Sequence, residues 1–427
     1  MTEPLALTRA QGWRYGLMGL PLAFVALPLY VLLPNHYARE FGVPLAALGS
    51  VLLVTRLLDA LIDPALGRWS DHLYTRSNRA VLVWAAAACA LMLLGFTLLF
   101  FPPLTLQAHL LPFTALWLML TYASYSAVTL AHQSWGALLG GDAVQQSRLV
   151  VWREGLGLVG VLLAAMAPTV LGLPLTVVLF AAALCLGWLA WRQAPRPQAP
   201  HRAGAGDELA ALARPWRQVA FRRLLAVFML NGIASAVPAT LVLFFVQDRL
   251  QASAALEPAF LGCYFLFAAL SMPLWLRAVR RWGLARSWLG GMLLAVAAFV
   301  GASLLGNGDA LPFLLICMVS GLAVGADLAL PGAMLSGLIA RVGDLGQAQG
   351  AYFGWWNFAT KLNLALAAGL ALPLLGLAGY VPGTRDPQAL QALTLAYCLL
   401  PCLLKLLAAG LLYRFFIHRH HGTKGKP

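Results

Sequence analysis

The chain has 427 residues, 61% hydrophobic and only 10% charged, where ordinary soluble domains carry about 25% charged residues; it reads as a polytopic membrane protein. A formal charge of +14 would suit nucleic acid, but the arginines fall between apolar runs and make no basic face with interleaved aromatics, which excludes a nucleic-acid partner. Six cysteines, Cys89, Cys185, Cys263, Cys317, Cys398 and Cys402, all lie in apolar stretches and are expected as small core residues, with no metal site.

A hydrocarbon core about 30 Å thick takes ~20 mainly apolar residues per helix. Twelve stretches meet that length, near 13–34, 44–66, 80–101, 109–134, 148–171, 173–192, 221–246, 258–276, 287–305, 311–338, 349–374 and 389–413. No short apolar region with a cleavage site precedes the first, so it is expected as a retained helix. One set of connections holds Arg68, Arg76, Arg79, Arg148, the arginines from Arg192 to Arg223, then Arg277, Arg280, Arg281, Arg286, Arg341 and the tail from Arg414; the other holds only Arg39, Arg249 and Arg385. That asymmetry places both termini in the cytoplasm of a plasma (inner) membrane. The Pro-, Ala- and Arg-rich stretch 193–220 separates six spans from six, giving bundles at 1–192 and 221–427 and a cytoplasmic linker with an amphipathic helix near Asp207–Gln218.

The second span carries charges that lipid makes costly. Arg56, Asp59 and Asp63 fall at i, i+3 and i+7, one stripe of a helix with about 3.6 residues per turn. An ionised group at mid-bilayer costs at least ~2.5–3.5 kcal/mol on insertion scales, so three together point to a bundle interior or an aqueous cavity and to an ion site. At the end of this span, Gly67-Arg68-Trp69-Ser70-Asp71-His72 through Arg76 offers close helix approach at Gly67 and pairing between Asp71 and the arginines, a cytoplasmic gate; a plain basic loop is the alternative.

Tyr125 and His132, seven apart in the fourth span, are candidate neutral hydrogen-bond partners for a substrate, with a purely structural role the alternative for His132. Glu154 beside Arg153 reads as a stabilising or gate partner. Asp327, in G-A-D-L-A-L-P-G, either lines the cavity beside Pro331 or pairs with a neighbouring helix. Trp356 and Asn357 share an arc with Lys361 and are assigned to the cavity, while Trp355 is assigned to an interfacial belt. Lys405 is expected to snorkel to the headgroups, and the run from His418 to act as a solvated anchor rather than a metal tract.

The run R-L-L-D-A-L-I-D-P-A-L-G-R-W-S-D, Arg56 to Asp71, resembles the signature of the glycoside-pentoside-hexuronide:cation symporters, the melibiose-permease-like branch of the major facilitator superfamily. Trp135, W-R-E-G-L-G-L-V-G from Trp152, A-Y-F-G-W-W-N-F-A-T-K from Ala351 to Lys361 and L-A-G-Y-V-P-G from Leu377 extend the likeness, in order, over almost the whole chain. The resemblance implies an all-α membrane protein with twelve transmembrane helices, a major facilitator fold of two six-helix bundles rocking about a midplane site. It implies Asp59 and Asp63 at the cation site, Arg56 one turn before them, Lys361 near that site, and Trp135 and Arg153 near the sugar pocket. Lys361 is, by its own sequence context, an isolated charge in an apolar helix that calls for an acid from the other bundle.

The chain also departs from the family pattern. The two carboxylates by which glycoside-binding members hold sugars align near Ala23 and Ala131, and the oxygen-bearing residues of sodium-using members align at Ile62 and near Val128, with Thr129 a substitute only in a shifted register. A hard cation wants several oxygen ligands, whereas a carboxylate pair suffices to share a proton, so the expected co-transported ion is a proton, with sodium the alternative. The expected function is cation-coupled symport of a sugar, a glycoside or another small organic solute by alternating access. The alternatives are a lysolipid-like amphiphile as substrate, or a non-transporting membrane receptor. No enzyme signature and no cofactor are found, and the partners expected are the substrate and the lipid bilayer, with the monomer as functional unit.

Overall fold

The computed structural model describes residues 7–43, 45–103, 109–197, 208–253 and 256–418; Arg202, Asp207 and the tail past His418 lie outside the described residues. The described residues form helices and no strands. The first membrane segment is broken into α1 (Arg9–Gly16), α2 (Gly19–Leu27) and α3 (Leu33–Glu40), with a widened π turn at Pro28–Leu32 where proline supplies no amide donor. Thr8 and Gln11 form a capping box that starts α1, Gln11 N donating to Thr8 Oγ1 at 3.2 Å and Thr8 N to Gln11 Oε1 at 2.9 Å.

The helices α4 (Leu45–Arg76), α5 (Asn78–Phe100) and α6 (Leu110–Leu138) follow, then α7 (Ala143–Arg192), the linker helix α8 (Glu208–Arg217) and α9 (Val219–Phe244). After these come α10 (Glu257–Ala302), α11 (Ala310–Arg341), α12 (Gln349–Leu377), α13 (Pro387–Thr394) and α14 (Leu400–Leu412). The 50 residues of α7 and the 46 of α10 each hold two membrane-length pieces, divided at Gly172 (φ 78°) and Gly283 (φ 77°), where a side chain would be strained. The breaks fall where the sequence separates 148–171 from 173–192 and 258–276 from 287–305. Counted this way, with α1 to α3 as one broken span and α13 continuing into α14, the described residues hold twelve membrane-length segments, and seven continuous helical stretches, two of them running through π turns, are long and apolar enough to cross a membrane.

The chain divides into two compact units. The first holds residues 1–217 together with 336–358, and the second holds 218–335 with 359–427. The linker helix and the stretch joining α11 to α12 thus group with the first unit. Within it, α1 and α2 pack along α7, and α4 and α5 along α6, around an aromatic core in which Phe180 lies 5.6 Å from Phe24 and 4.8 Å from Phe96, centroid to centroid. In the second unit α9 and α10 pack along α14, and Phe245 stacks on Tyr397 at 4.3 Å. The L-A-G-Y-V-P-G motif serves a loop there: the Tyr380 hydroxyl and the Gly383 amide both donate to Asp248 Oδ2, the latter at 3.0 Å.

Candidate functional site

The acid stripe is real and mostly inward. Asp59 and Asp63 are 2% and 0% exposed, and Thr55, one turn earlier on the same face, is buried with its hydroxyl on the Val51 carbonyl at 2.8 Å. Arg56 is exposed, so only the acids of the stripe are enclosed within the first unit. The Ser126 hydroxyl of α6 donates to Asp59 Oδ1 at 3.0 Å. Sequence reasoning missed Ser126; the run S-Y-S-A-V-T at 124–129 offered several hydroxyls and no way to choose among them. The Thr129 hydroxyl is buried with no hydrogen bond among the described residues, and Val128 is fully enclosed. Two carboxylates one turn apart with a hydroxyl on one of them can hold a small cation or share a proton.

Eight residues after Asp63 the same helix takes part in a clasp inside the first unit. Asp71 accepts hydrogen bonds from the Gly350 amide at 2.6 Å and the Ala351 amide at 3.1 Å, the first residues of α12. Those amides are unsatisfied donors of a helix start, so an anion there is well matched. Gly67 and Gly350 make the approach possible, since a Cβ on either would collide with the backbone oxygen of the other. Asp71 lies beyond the apolar run that ends at Leu66; burial pushes its carboxyl up to about 7, against the two amides and Arg68, which draw it down. Arg68 donates to the Gln347 carbonyl at 3.3 Å. The expectation for Arg76 needs correction: it is exposed and makes no hydrogen bond or ion pair among the described residues, so Arg68 is the arginine at the clasp.

The linker helix reinforces the clasp. Arg214 pairs with Asp344 at 2.6 Å, and Asp344 also accepts from the Tyr352 hydroxyl at 2.6 Å. Trp355 donates its indole N–H to the Leu212 carbonyl at 3.0 Å and meets Trp216 edge to face, so it anchors α8 rather than forming an interfacial belt. Asn357 exchanges hydrogen bonds with Gln133 of α6, the shorter at 3.2 Å, and Trp356 is buried beside it.

Several residues assigned to the substrate cavity prove to be packed within the first unit. His132 is fully buried, its Nε2 on the Tyr15 carbonyl at 2.8 Å and its ring stacked 4.3 Å from the Tyr15 ring. Trp135 is equally buried against Tyr74 and Trp191, with its N–H committed to the Pro195 carbonyl at 2.9 Å. The Trp135 N–H is thus committed, whereas His132 Nδ1 is enclosed with no hydrogen bond among the described residues. Tyr125 is half-buried on α6, and Arg153 pairs with Glu154 at 2.6 Å, the stabilising use expected of Glu154.

In the second unit Lys361 is half-buried on α12. Lys405 does not snorkel. It is enclosed and spends its three donors on Asp327 Oδ2 at 2.7 Å, Asn231 Oδ1 at 2.9 Å and Ser235 Oγ at 3.0 Å. The other oxygen of Asp327 accepts from the Trp288 indole at 2.9 Å. Of the two readings of Asp327, pairing with a neighbouring helix is the one the structure displays, and its partner is Lys405.

Over more than nine tenths of its length the chain has a fold similar to that of solved membrane transporters. A bacterial homologue of the iron transporter ferroportin, in its outward-facing state, matches with TM-score 0.72 at 16% identity, over 96% of this chain and 99% of that one. The major facilitator superfamily transporter FucP, in the outward conformation, matches with TM-score 0.66 at 15% identity, over 94% and 99%. At the level of sequence, residues 14–419 match the family described as MFS/sugar transport protein, and the chain belongs to that family. Its relatives include the inner membrane symporter YicJ of Escherichia coli K12, 27% identical over 41% of this chain and 36% of that protein. The putative glycoside/cation symporter YagG of the same organism is 28% identical over 34% and 32%, so the matches to both span about a third of those relatives' length. The uncharacterized symporter YjmB of Bacillus subtilis 168 aligns over 97% of this chain and 94% of its own length at 23% identity.

Proposed function

We propose that this protein is a secondary active transporter that couples uptake of a sugar, a glycoside or another small organic solute to a cation bound at Asp59 and Asp63. The observation that supports it most is the enclosed acid pair with the Ser126 hydroxyl on Asp59, a polar site that a membrane helix bears at high cost unless an ion uses it. The names of YicJ and YagG, a symporter and a putative glycoside/cation symporter, agree with that reading. The cation is a proton: apart from the Ser126 hydroxyl, neither Ile62 beside Asp63 nor Val128 on α6 brings an oxygen, which leaves a hard metal ion with few ligands. Arg56 sets the local potential at the acid pair, and Lys361 is a second charge of the coupling machinery. The Asp71 clasp closes the cytoplasmic end in one of the two states of an alternating-access carrier, and the monomer in the inner membrane is the working unit. Solute binding then tightens cation binding by the same factor as the reverse.

The test is solute accumulation in proteoliposomes under an imposed proton or sodium gradient, across a panel of sugars and glycosides. Asp59→Asn and Asp63→Asn should abolish gradient-driven accumulation while leaving downhill exchange measurable. Undiminished accumulation in both variants would sink the assignment, and dependence on sodium alone would replace the proton.

A further inference from the structure

A cavity of about 600 Å³ lies at the start of α5 and the end of α7, apart from the acid pair and the clasp. Three arginines line it, Arg79, Arg192 and Arg196, and none of them forms an ion pair with an acid among the described residues. Like charges gathered around one concavity repel each other, and a bound anion relieves that repulsion. The start of α5, capped by Ser77, adds the partial positive charge of a helix N-terminus.

The wall is held in place. Asn78 Nδ2 donates to the Pro197 carbonyl at 2.8 Å and Trp135 Nε1 to the Pro195 carbonyl at 2.9 Å, which fixes Arg196 between them at the rim. Trp188 ties the two helices through its indole N–H on the Leu82 carbonyl at 3.0 Å, and the Arg192 guanidinium lies 5.8 Å from its ring centroid.

The lining has two tiers. Arg79 and Arg192 sit at the helix ends, and one turn further into each helix stand Val83, 61% exposed, and Trp188, about 6 Å deeper along the axis. A cationic rim above an apolar ledge, in that order along the direction of the spans, matches a phosphodiester head with acyl chains below it. A free phosphate would use the rim and leave the ledge bare. We propose that this cavity binds an anionic phospholipid, its phosphate on the three arginines and an acyl chain against Val83 and Trp188.

The experiment is native mass spectrometry of the full chain in mild detergent, titrated with phosphatidylglycerol, phosphatidylcholine, glycerol 3-phosphate or inorganic phosphate. A basic side chain near an anionic head contributes a factor of about five, so three give about a hundred. The expected result is a preference for phosphatidylglycerol that falls about a hundredfold in Arg79→Gln/Arg192→Gln/Arg196→Gln. It should persist in Arg277→Gln/Arg280→Gln/Arg281→Gln, which removes the same charge from exposed arginines elsewhere. An unchanged preference in the first variant, or an equal loss in both, overturns the proposal, as does displacement of phosphatidylglycerol by equimolar glycerol 3-phosphate or phosphate. Should the first variant not be recovered folded, Arg79→Gln alone should cost about fivefold. Val83→Glu, at an exposed position, tests the ledge separately: retention as in the unaltered chain refutes the two-tier site.

Discussion

Breaking the pair between Lys405 and Asp327 should be the most damaging single charge change in the second unit. Their side chains are 3% and 12% exposed, with 2.7 Å between charged atoms. Asp327→Asn leaves the ammonium with only the neutral oxygens of Asn231 and Ser235, an enclosed charge without compensation, and removing one partner of such a pair costs about 3–5 kcal/mol. Lys405→Met leaves the carboxylate with the Trp288 and Ser235 donors and should cost a similar amount. Replacing both leaves no uncompensated charge, so the double variant should be no worse than either single one and the coupling energy should exceed about 2 kcal/mol. Equilibrium unfolding in mixed micelles, run on all four corners of the cycle, measures this. Costs below about 1 kcal/mol for the single variants, or a double variant whose cost equals their sum, would refute the view that the pair is enclosed and mutually dependent.

Other outcomes follow from the first unit. Ser126→Ala removes one hydrogen bond to a charged group, worth about 1.5–3 kcal/mol, and should weaken cation-driven accumulation more than tenfold without preventing assembly. Gly350→Val places a side chain on the Gly67 carbonyl; at about 1–3 kcal/mol of overpacking, the clasp should open, read as faster thiol labelling of a Ser70→Cys probe in a background without the native cysteines. The raised Asp71 carboxyl gives the clasp a pH dependence. Relative to an open form with an ordinary carboxyl, closure is strongest at low pH, weakens between about pH 4 and 7, and is flat above; Asp71→Asn should remove the slope in the same labelling assay. Trp355→Phe keeps an aromatic ring but loses the bond to Leu212, and should release α8 by about 1 kcal/mol, seen as faster proteolysis of the linker.

Much of this molecule follows from local rules. Apolar run length sets the spans and separates 148–171 from 173–192 and 258–276 from 287–305, and the seven-residue spacing of Arg56 to Asp63 puts acids on a stripe because helical period is a property of the backbone alone. What sequence order does not contain is the choice of partner. Asp71 meets amides 279 and 280 residues away, Lys405 reaches back 174 residues to Asn231, and Ser126 rather than Thr129 finds Asp59. For the same reason Trp135, a polar-capable residue in a membrane helix, is expected in a cavity from sequence, while packing commits its one donor to the Pro195 carbonyl. A charge's cost in lipid is legible one residue at a time; which neighbour relieves it depends on how the helices rotate and pack, and that is decided only in the assembled fold.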